Sequence, residues 1–253
     1  MSQHYLDAVV HSSSRGLQHA GMVEQALPFT IRVVRDGADL MKAVLIRQAA
    51  YGRHLPEFAR TLSVPEALDI RPGVAVLLAE SKLDGVPLGS MRIQTNRYQP
   101  LALEQSLTLP ESLAARPLAE ATRLGVTGER IGRMVKTLLF KAFFEYCQQS
   151  GIEWMVIAGR SPIDRQYERL LFSDVYPGMG AIALQHAGNI PHRVMSFEVG
   201  SAEQRWREAA HPLYDLVFRT EHADIDIDLG PASAPYQPAC QLRSAMRQHK
   251  MAA

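Results

Sequence analysis

Residues 118–159 read LAEATRLGVTGERIGRMVKTLLFKAFFEYCQQSGIEWMVIAG. Three patterns follow one another in this stretch. Residues 118–126 are mostly small and apolar and read as a strand. Ile131, Met134, Val135, Leu138, Leu139, Ala142, Phe143, Tyr146 and Cys147 then recur at i, i+3, i+4 and i+7, which is the stripe of an amphipathic helix. Gly151 stops that helix as a left-handed cap, and EWMVIAG at 153–159 is a second buried strand. Strand, helix and strand in this order make a crossover that lays the helix over one face of a sheet. Within the first strand Glu120 and Arg123 interrupt the apolar run. Buried charges persist only when paired and hydrogen-bonded, so this pair needs partners.

Working outward, TIRVV at 30–34 alternates as a strand, and Asp36 can cap a helix over 37–51. A polar loop runs to Gly73. VAVLLAE (74–80) and LGSMRIQ (88–94), joined by a turn at DGVP (84–87), read as a hairpin. Further on come a short helix at 162–171, a strand at 192–199 and one or two helices within 201–219. Hairpins together with a crossover predict an α/β (α+β) fold with a central, mixed, mostly antiparallel twisted sheet flanked by helices. Residues 1–27 read as a loose N-terminal arm, 28–228 as one domain and 229–253 as a Pro-rich, then basic, tail.

The chain has 253 residues, 47% apolar and 21% charged, with a net charge of +1. That balance argues against a protein that coats nucleic acid or an anionic membrane. No apolar run reaches the ~18–20 residues of a membrane helix, and the N-terminus lacks a signal-peptide pattern, so a cytoplasmic location is expected. Cys147 and Cys240 are far apart and the nine histidines are scattered, so neither a disulfide framework nor a metal site is expected.

Two features carry chemistry. The loop TGER and the helix start IGR place Gly128, Gly132, Arg130 and Arg133 at a helix N-terminus, where backbone N–H groups can receive a phosphate. An ordinary solvated helix start reads the same way. Glu120 can act as a base, or can merely pin the strand through an ion pair. In a regular strand Glu120 and Arg123 face opposite sides. Either a bulge turns them to one side, or Arg123 finds another acid, Glu66 or Asp69.

The order of these elements resembles the GNAT acyltransferases. Leu124-Gly125-Val126 is similar to their apolar-small-Val triplet, and GERIGR keeps a basic residue and glycines of the following loop. A narrower resemblance is to the branch holding the acyl-homoserine-lactone synthases and the FeeM-like N-acyl amino acid synthases. Its pattern is matched by Arg47 and Tyr51, then Glu66 and Asp69, then Gly89 and Arg92, then Glu120 and Arg123, over residues 31–175. RQYERLLF (165–172) resembles the segment that carries a Tyr before a terminal Phe, which points to Tyr167. The early loop, GRHLPEFARTLSV, has Phe58 as its aromatic residue, and the chain runs some 80 residues past the match. Both points favour the N-acyl amino acid branch, or a further relative of it, over lactone synthesis.

The resemblance implies a GNAT-like three-layer fold and an N-acyltransferase. It would move a long-chain acyl group from the phosphopantetheine thioester of an acyl carrier protein to an amino acid or similar small amine. No cofactor beyond that acyl thioester is implied, and no metal. Two alternatives stand beside it: lactone synthesis from S-adenosylmethionine, and a non-catalytic binding or regulatory module. It further implies that Glu120 and Arg123 serve the reacting amine and that Tyr167 protonates the leaving thiolate. Arg47, Tyr51, Glu66, Asp69 and Arg92 would shape the acceptor site, with Arg47 or Arg92 gripping a carboxylate. Backbone N–H groups at Leu124, Gly125 and Val126 would hold the oxyanion. Arg130, Gly132 and Arg133 would hold phosphopantetheine or the carrier, with Lys136 and Lys141 adding to that basic face.

Overall fold

The computed structural model describes residues 22–228; the tail 229–253 and residues 1–21 of the arm lie outside the described residues. The described part of the arm includes β1 (Val23–Glu24), and β2 (Phe29–Val33) follows. Asp36 caps α1 (Gly37–Gly52) as expected, its side chain accepting the Asp39 amide at 2.9 Å. The stretch read as a polar loop instead folds into α2 (Pro56–Thr61) and a 3-10 turn at Ala67–Ile70. Pro56 opens the helix, and Asp69 reaches back to the Glu66 amide at 2.8 Å, local signals too short for a periodicity reading.

The hairpin is β3 (Val74–Ser81) and β4 (Pro87–Thr95), with Gly85 at φ +70° in its turn. A second 3-10 turn at Ala102–Gln105 and the short α3 (Glu111–Ala114) lead to β5 (Leu118–Val126), α4 (Ile131–Gln149) and β6 (Trp154–Gly159). Next come α5 (Asp164–Arg169), β7 (Ser173–Asp174), β8 (Ile182–Leu184), a 3-10 turn at Gln185–Ala187 and β9 (Ile190–Glu198). The last elements are α6 (Ala202–Glu208), α7 (Tyr214–Phe218), β10 (Thr220–Glu221) and β11 (Ile225–Asp226).

The main sheet runs β11-β2-β3-β4-β5-β6-β9-β7, with β8 added on β9, while β1 pairs with β10 in a separate ribbon. The β11–β2 and β5–β6 pairs are parallel; the other pairs of the main sheet are antiparallel. Mixed and mostly antiparallel is what the hairpin-plus-crossover pattern requires.

The helix α4 covers one face. Its Val135, Leu138, Leu139, Ala142 and Phe143 are almost wholly buried against Ile31, Leu77, Met91, Ile93 and Met155. Each such side chain contributes roughly 1.5–3 kcal/mol relative to exposure. The helix α1 covers the other face, where Leu40 and Ala43 meet Val76 and Leu78. Beyond it, Leu101, Leu103, Leu109 and Leu113 from the β4–β5 connection pack on Leu118, Val156 and Val194.

Two irregularities in β5 position everything that follows. Ser90 pairs with Gly125 but Arg92 pairs with Thr122, so Met91 alone stands opposite Arg123 and Leu124. Arg123 sits at this bulge with φ +54°, a strained region for a non-glycine residue. On its other edge β5 pairs with β6 only from Leu118/Trp154 to Ala121/Ile157. From Thr122 to Val126 no strand among the described residues lies beside that edge, so the sheet is split in the middle.

Candidate functional site

The bulge answers the question of the two charges. It turns Arg123 toward the α1 side, the side of Glu120, yet the two do not pair. Arg123 instead makes a bidentate bond to Glu66, Nε to Oε2 and Nη2 to Oε1, both at 2.6 Å. Arg92 Nη1 donates to Glu66 Oε2 at 3.0 Å and to Asp69 Oδ1 at 3.3 Å, and its Nε donates to Thr122 at 3.0 Å. Arg47, from α1, donates to both oxygens of Asp69 at 3.1 and 3.0 Å and lies 3.5 Å from Glu66. The four motifs separated along the chain therefore converge in one ionic cluster.

Arg47 and Arg92 are each 1% exposed, while the Glu66 side chain keeps 24% of its surface. Glu66 is thus the cluster's solvent edge. Burial works against its charge, but the Arg123 bonds and the three guanidinium charges win and draw its pKa down to about 2. Three guanidinium groups face Glu66 and Asp69, and the Glu120 carboxyl is the third acid within reach of their charge. Arg47 Nε and Nη2 are buried and lack hydrogen-bond partners among the described residues.

Glu120 occupies the inner end of this cluster, fully buried. Its Oε2 accepts the Leu103 amide at 3.2 Å, and its Oε1 faces His186 Nε2 at 3.4 Å. Burial pushes its carboxyl up to about 7, against the opposing pull of the Leu103 amide and the Arg92 and Arg123 charges. A carboxyl that titrates near neutrality is matched to moving a proton at physiological pH.

Aromatic residues roof the cluster. Phe58 of α2 stacks 5.2 Å from the Arg123 guanidinium, and its ring lies 5.6 Å from Tyr51. Phe58, the loop's aromatic residue, is thereby placed in the site, as is His186, which no sequence motif marked. The Arg123 Nη2 group also donates to the His186 carbonyl at 2.8 Å.

Leu124, Gly125 and Val126 continue β5 past the bulge, along the split. Gly125 is required by packing: a Cβ there would lie 3.0 Å from Ala50 Cβ and 3.1 Å from Arg47 Cα. Gly132 has a similar cause, since its Cβ would lie 2.2 Å from the Thr127 carbonyl oxygen. That close return of the loop sets Arg130 and Arg133 at the start of α4, directly beyond the split. The Gly132 and Arg133 amides point back to the Glu129 and Arg130 carbonyls, at 3.0 and 3.4 Å, so they are engaged within the turn. Arg53, missed from sequence, reaches over from the end of α1 and donates to the Val126 carbonyl at 2.7 Å.

Two basic residues expected on the surface of α4 are elsewhere. Lys141 is 2% exposed, and its Nζ donates to the carbonyls of Leu216, Val217 and Thr220, capping the end of α7. It belongs to the fold and cannot dock a carrier. Lys136 Nζ is tied to Gln166 of α5.

Between α4, α5, α6, α7 and strands β6 and β9 lies an apolar cavity of about 130 Å³, none of whose walls comes from β5. Phe140, Phe144, Met155, Phe172, Trp206 and Phe218 are among its walls. Tyr167 lines it too, its ring within 2.7 Å of where a Cβ on Gly159 would sit, at the end of β6. Burial pushes the Tyr167 phenol well above its ordinary value, so it carries its proton at neutral pH. Among the described residues no group of three or more His, Cys, Asp or Glu side chains could hold a metal ion. No helix among them is long and apolar enough to cross a membrane.

No family model matches the chain, and no curated protein matches it significantly. Solved structures do. FeeM, an N-acyl amino acid synthase from uncultured soil microbes, superposes with a TM-score of 0.53 at 17% identity, over 72% of this chain and 96% of that one. BjaI, a CoA-dependent acyl-homoserine lactone synthase, superposes with a TM-score of 0.53 at 14% identity, over 86% of this chain and 99% of that one. Such distant likeness speaks to architecture alone, and on that the chain has the GNAT-like fold.

Proposed function

We propose that the protein is an N-acyltransferase that moves a fatty acyl group from a phosphopantetheine thioester to the amine of a small acceptor bearing a carboxylate. The observation that carries this reading is the split between β5 and β6 with a charged cluster beside it, and an apolar cavity that Tyr167, packed on Gly159 at the end of β6, links to that split. A thioester laid in the split would have its acyl tail beside Tyr167 and the cavity, and its carbonyl carbon beside the charged face. Cavities of ~150 Å³ hold a benzene-sized group. A 130 Å³ space thus accommodates the end of a chain, the rest lying along the split.

The acceptor enters over Glu66 and under Phe58. Its carboxylate faces the guanidinium groups, and Arg47 Nε and Nη2, which lack partners among the described residues, offer it a fork. Its ammonium must lose a proton before it can attack, and Glu120 receives that proton through water. The amine nitrogen then bonds to the acyl carbon, and the carbonyl oxygen becomes an oxyanion facing backbone N–H groups at Leu124–Val126. When the C–S bond breaks, the thiolate takes a proton from Tyr167, and the second proton lost by the nitrogen returns through water to the Tyr167 phenolate. Arg53, Arg130 and Arg133 ring the mouth of the split, where phosphate or an acidic carrier protein would rest. FeeM, an N-acyl amino acid synthase by description, supports the amino acid as acceptor.

The test offers purified protein acyl thioesters of graded length, on CoA and on a carrier protein, with each amino acid in turn. Thiol release coupled to an N-acyl amino acid in the mass spectrum is expected. Thioester turnover that requires S-adenosylmethionine and yields a lactone would replace this acceptor. No turnover of any thioester would contradict the reading.

A further inference from the structure

Glu120 is sealed in, and His186 is the side chain set against its open oxygen. Glu120 Oε2 is held by the Leu103 amide, while Oε1 has no hydrogen-bond partner and lies 3.4 Å from His186 Nε2. His186 Nδ1 is buried and also lacks a partner. The turn carrying His186 is fixed from three sides. Arg123 holds its carbonyl at 2.8 Å, Ser106 Oγ accepts the Gln185 amide at 2.8 Å, and Phe58 packs on Gly188.

The tautomer follows from counting donors. A neutral imidazole has one N–H. On Nδ1 it would leave Nε2 turning a lone pair toward a carboxylate. On Nε2 it faces the one oxygen of Glu120 that needs a donor. Burial, then the charges of Arg123 and Arg92 and the nearby His192, hold the ring neutral against the pull of the Ala102 carbonyl, with its pKa down at about 4.

We propose that His186 is a positioning residue for Glu120. Its neutral ring donates Nε2–H to Oε1 and holds the carboxylate in the ionised, correctly turned form that receives the acceptor's proton. This deepens the proposed function and rests on it. Glu120 loses its proton as pH rises through about 7, so the base form gives turnover an acid limb there. The groups that face the pair are Arg92, Arg123 and His192 with the backbone at Ala102 and Leu103. The arginines stay charged and His192, its pKa lowered by burial, stays neutral across that limb. Removing the donor disfavours the carboxylate and moves the limb upward.

The experiment measures kcat/KM against pH for the wild-type chain, His186→Leu, His186→Gln and Glu120→Gln. Leucine keeps water out and removes the donor. The limb is expected to rise by about one pH unit or more, so that activity at pH 7 falls about fivefold or more. Glutamine, whose amide can donate from a similar place, is expected to restore much of the limb. Nitrogen NMR of the wild-type chain should show a neutral ring protonated on Nε2 at pH 7, with its shifts moved in Glu120→Gln. An unmoved limb in His186→Leu, or an Nδ1–H ring, overturns the inference while leaving the acyltransferase reading intact. Full turnover in Glu120→Gln instead removes Glu120 as base, and the reading beneath the inference fails with it.

Discussion

The two edges of β5 make the informative contrast in this molecule. Toward β4 it is hydrogen-bonded along its length, from Ala119 to Val126, and the one irregularity is a bulge. Toward β6 the ladder stops after Ala121. The same strand is thus part of a closed sheet on one edge and an open backbone on the other. Its two faces differ as sharply. On the α1 side stand Glu120, Thr122 and Arg123 within a charged cluster; on the α4 side lie apolar side chains and a cavity. The lesson is that one short bulge, by turning Arg123 over, separates polar chemistry from apolar storage across a single strand.

The sharpest way to break the contrast is to disarm its polar side. Glu120→Gln keeps the shape of the buried group and removes its charge, and turnover is expected to fall about 10²–10⁴-fold. Circular dichroism and melting should stay near wild type, because a neutral side chain in a fully buried site costs little. Retained turnover would reassign the base.

Next in size is the cluster's stability. Asp69→Asn leaves Arg47 and Arg92 short of a counter-charge in a site where both are 1% exposed. Breaking a buried pair in this way costs about 3–5 kcal/mol, measurable as a lower midpoint in urea. A change under about 1 kcal/mol would mean that water enters the cluster freely.

How much of this was legible beforehand depends on the kind of signal. The α4 stripe, the Asp36 cap and the 74–94 hairpin follow from periodicity and turn chemistry, and they appear where expected. That Arg123 finds an acid in Glu66 was one of the two anticipated outcomes, because buried charges demand partners. The bulge was open, since it depends on register against β4 rather than on any residue type. Nothing local marked His186, which reaches Glu120 across 66 positions of chain through a loop with no periodicity. Lys141 was misplaced because a long side chain on a helix flank reads as solvated unless its acceptors, here the carbonyls ending α7, are known.

A milder change probes the apolar side. Phe144 packs edge-on against Phe218 at 5.3 Å and lines the cavity. Phe144→Leu opens it by part of a ring. Relative kcat/KM for acyl donors longer by one or two carbons should rise about tenfold, near the worth of one methylene in a pocket. An unchanged chain-length profile would place the tail elsewhere.

The smallest effect is expected at an exposed ion pair, as a control on the buried ones. Arg116 and Glu153 meet at 2.9 Å with side chains 57% and 44% exposed. A double-mutant cycle should give a coupling of no more than about 0.5 kcal/mol, screened by salt. A coupling as large as that of the Asp69 cluster would undo the distinction drawn between them.

The central claim is that a thioester lies in the gap between β5 and β6. The most direct measurement is a crystal structure with a non-reactive S-alkyl phosphopantetheine thioether. The sulfur is expected beside Leu124–Val126 and Ala158–Gly159, with the alkyl tail leading past Tyr167 into the cavity. A thioether bound on another surface, with residues 122–126 hydrogen-bonded directly to β6, would contradict the account.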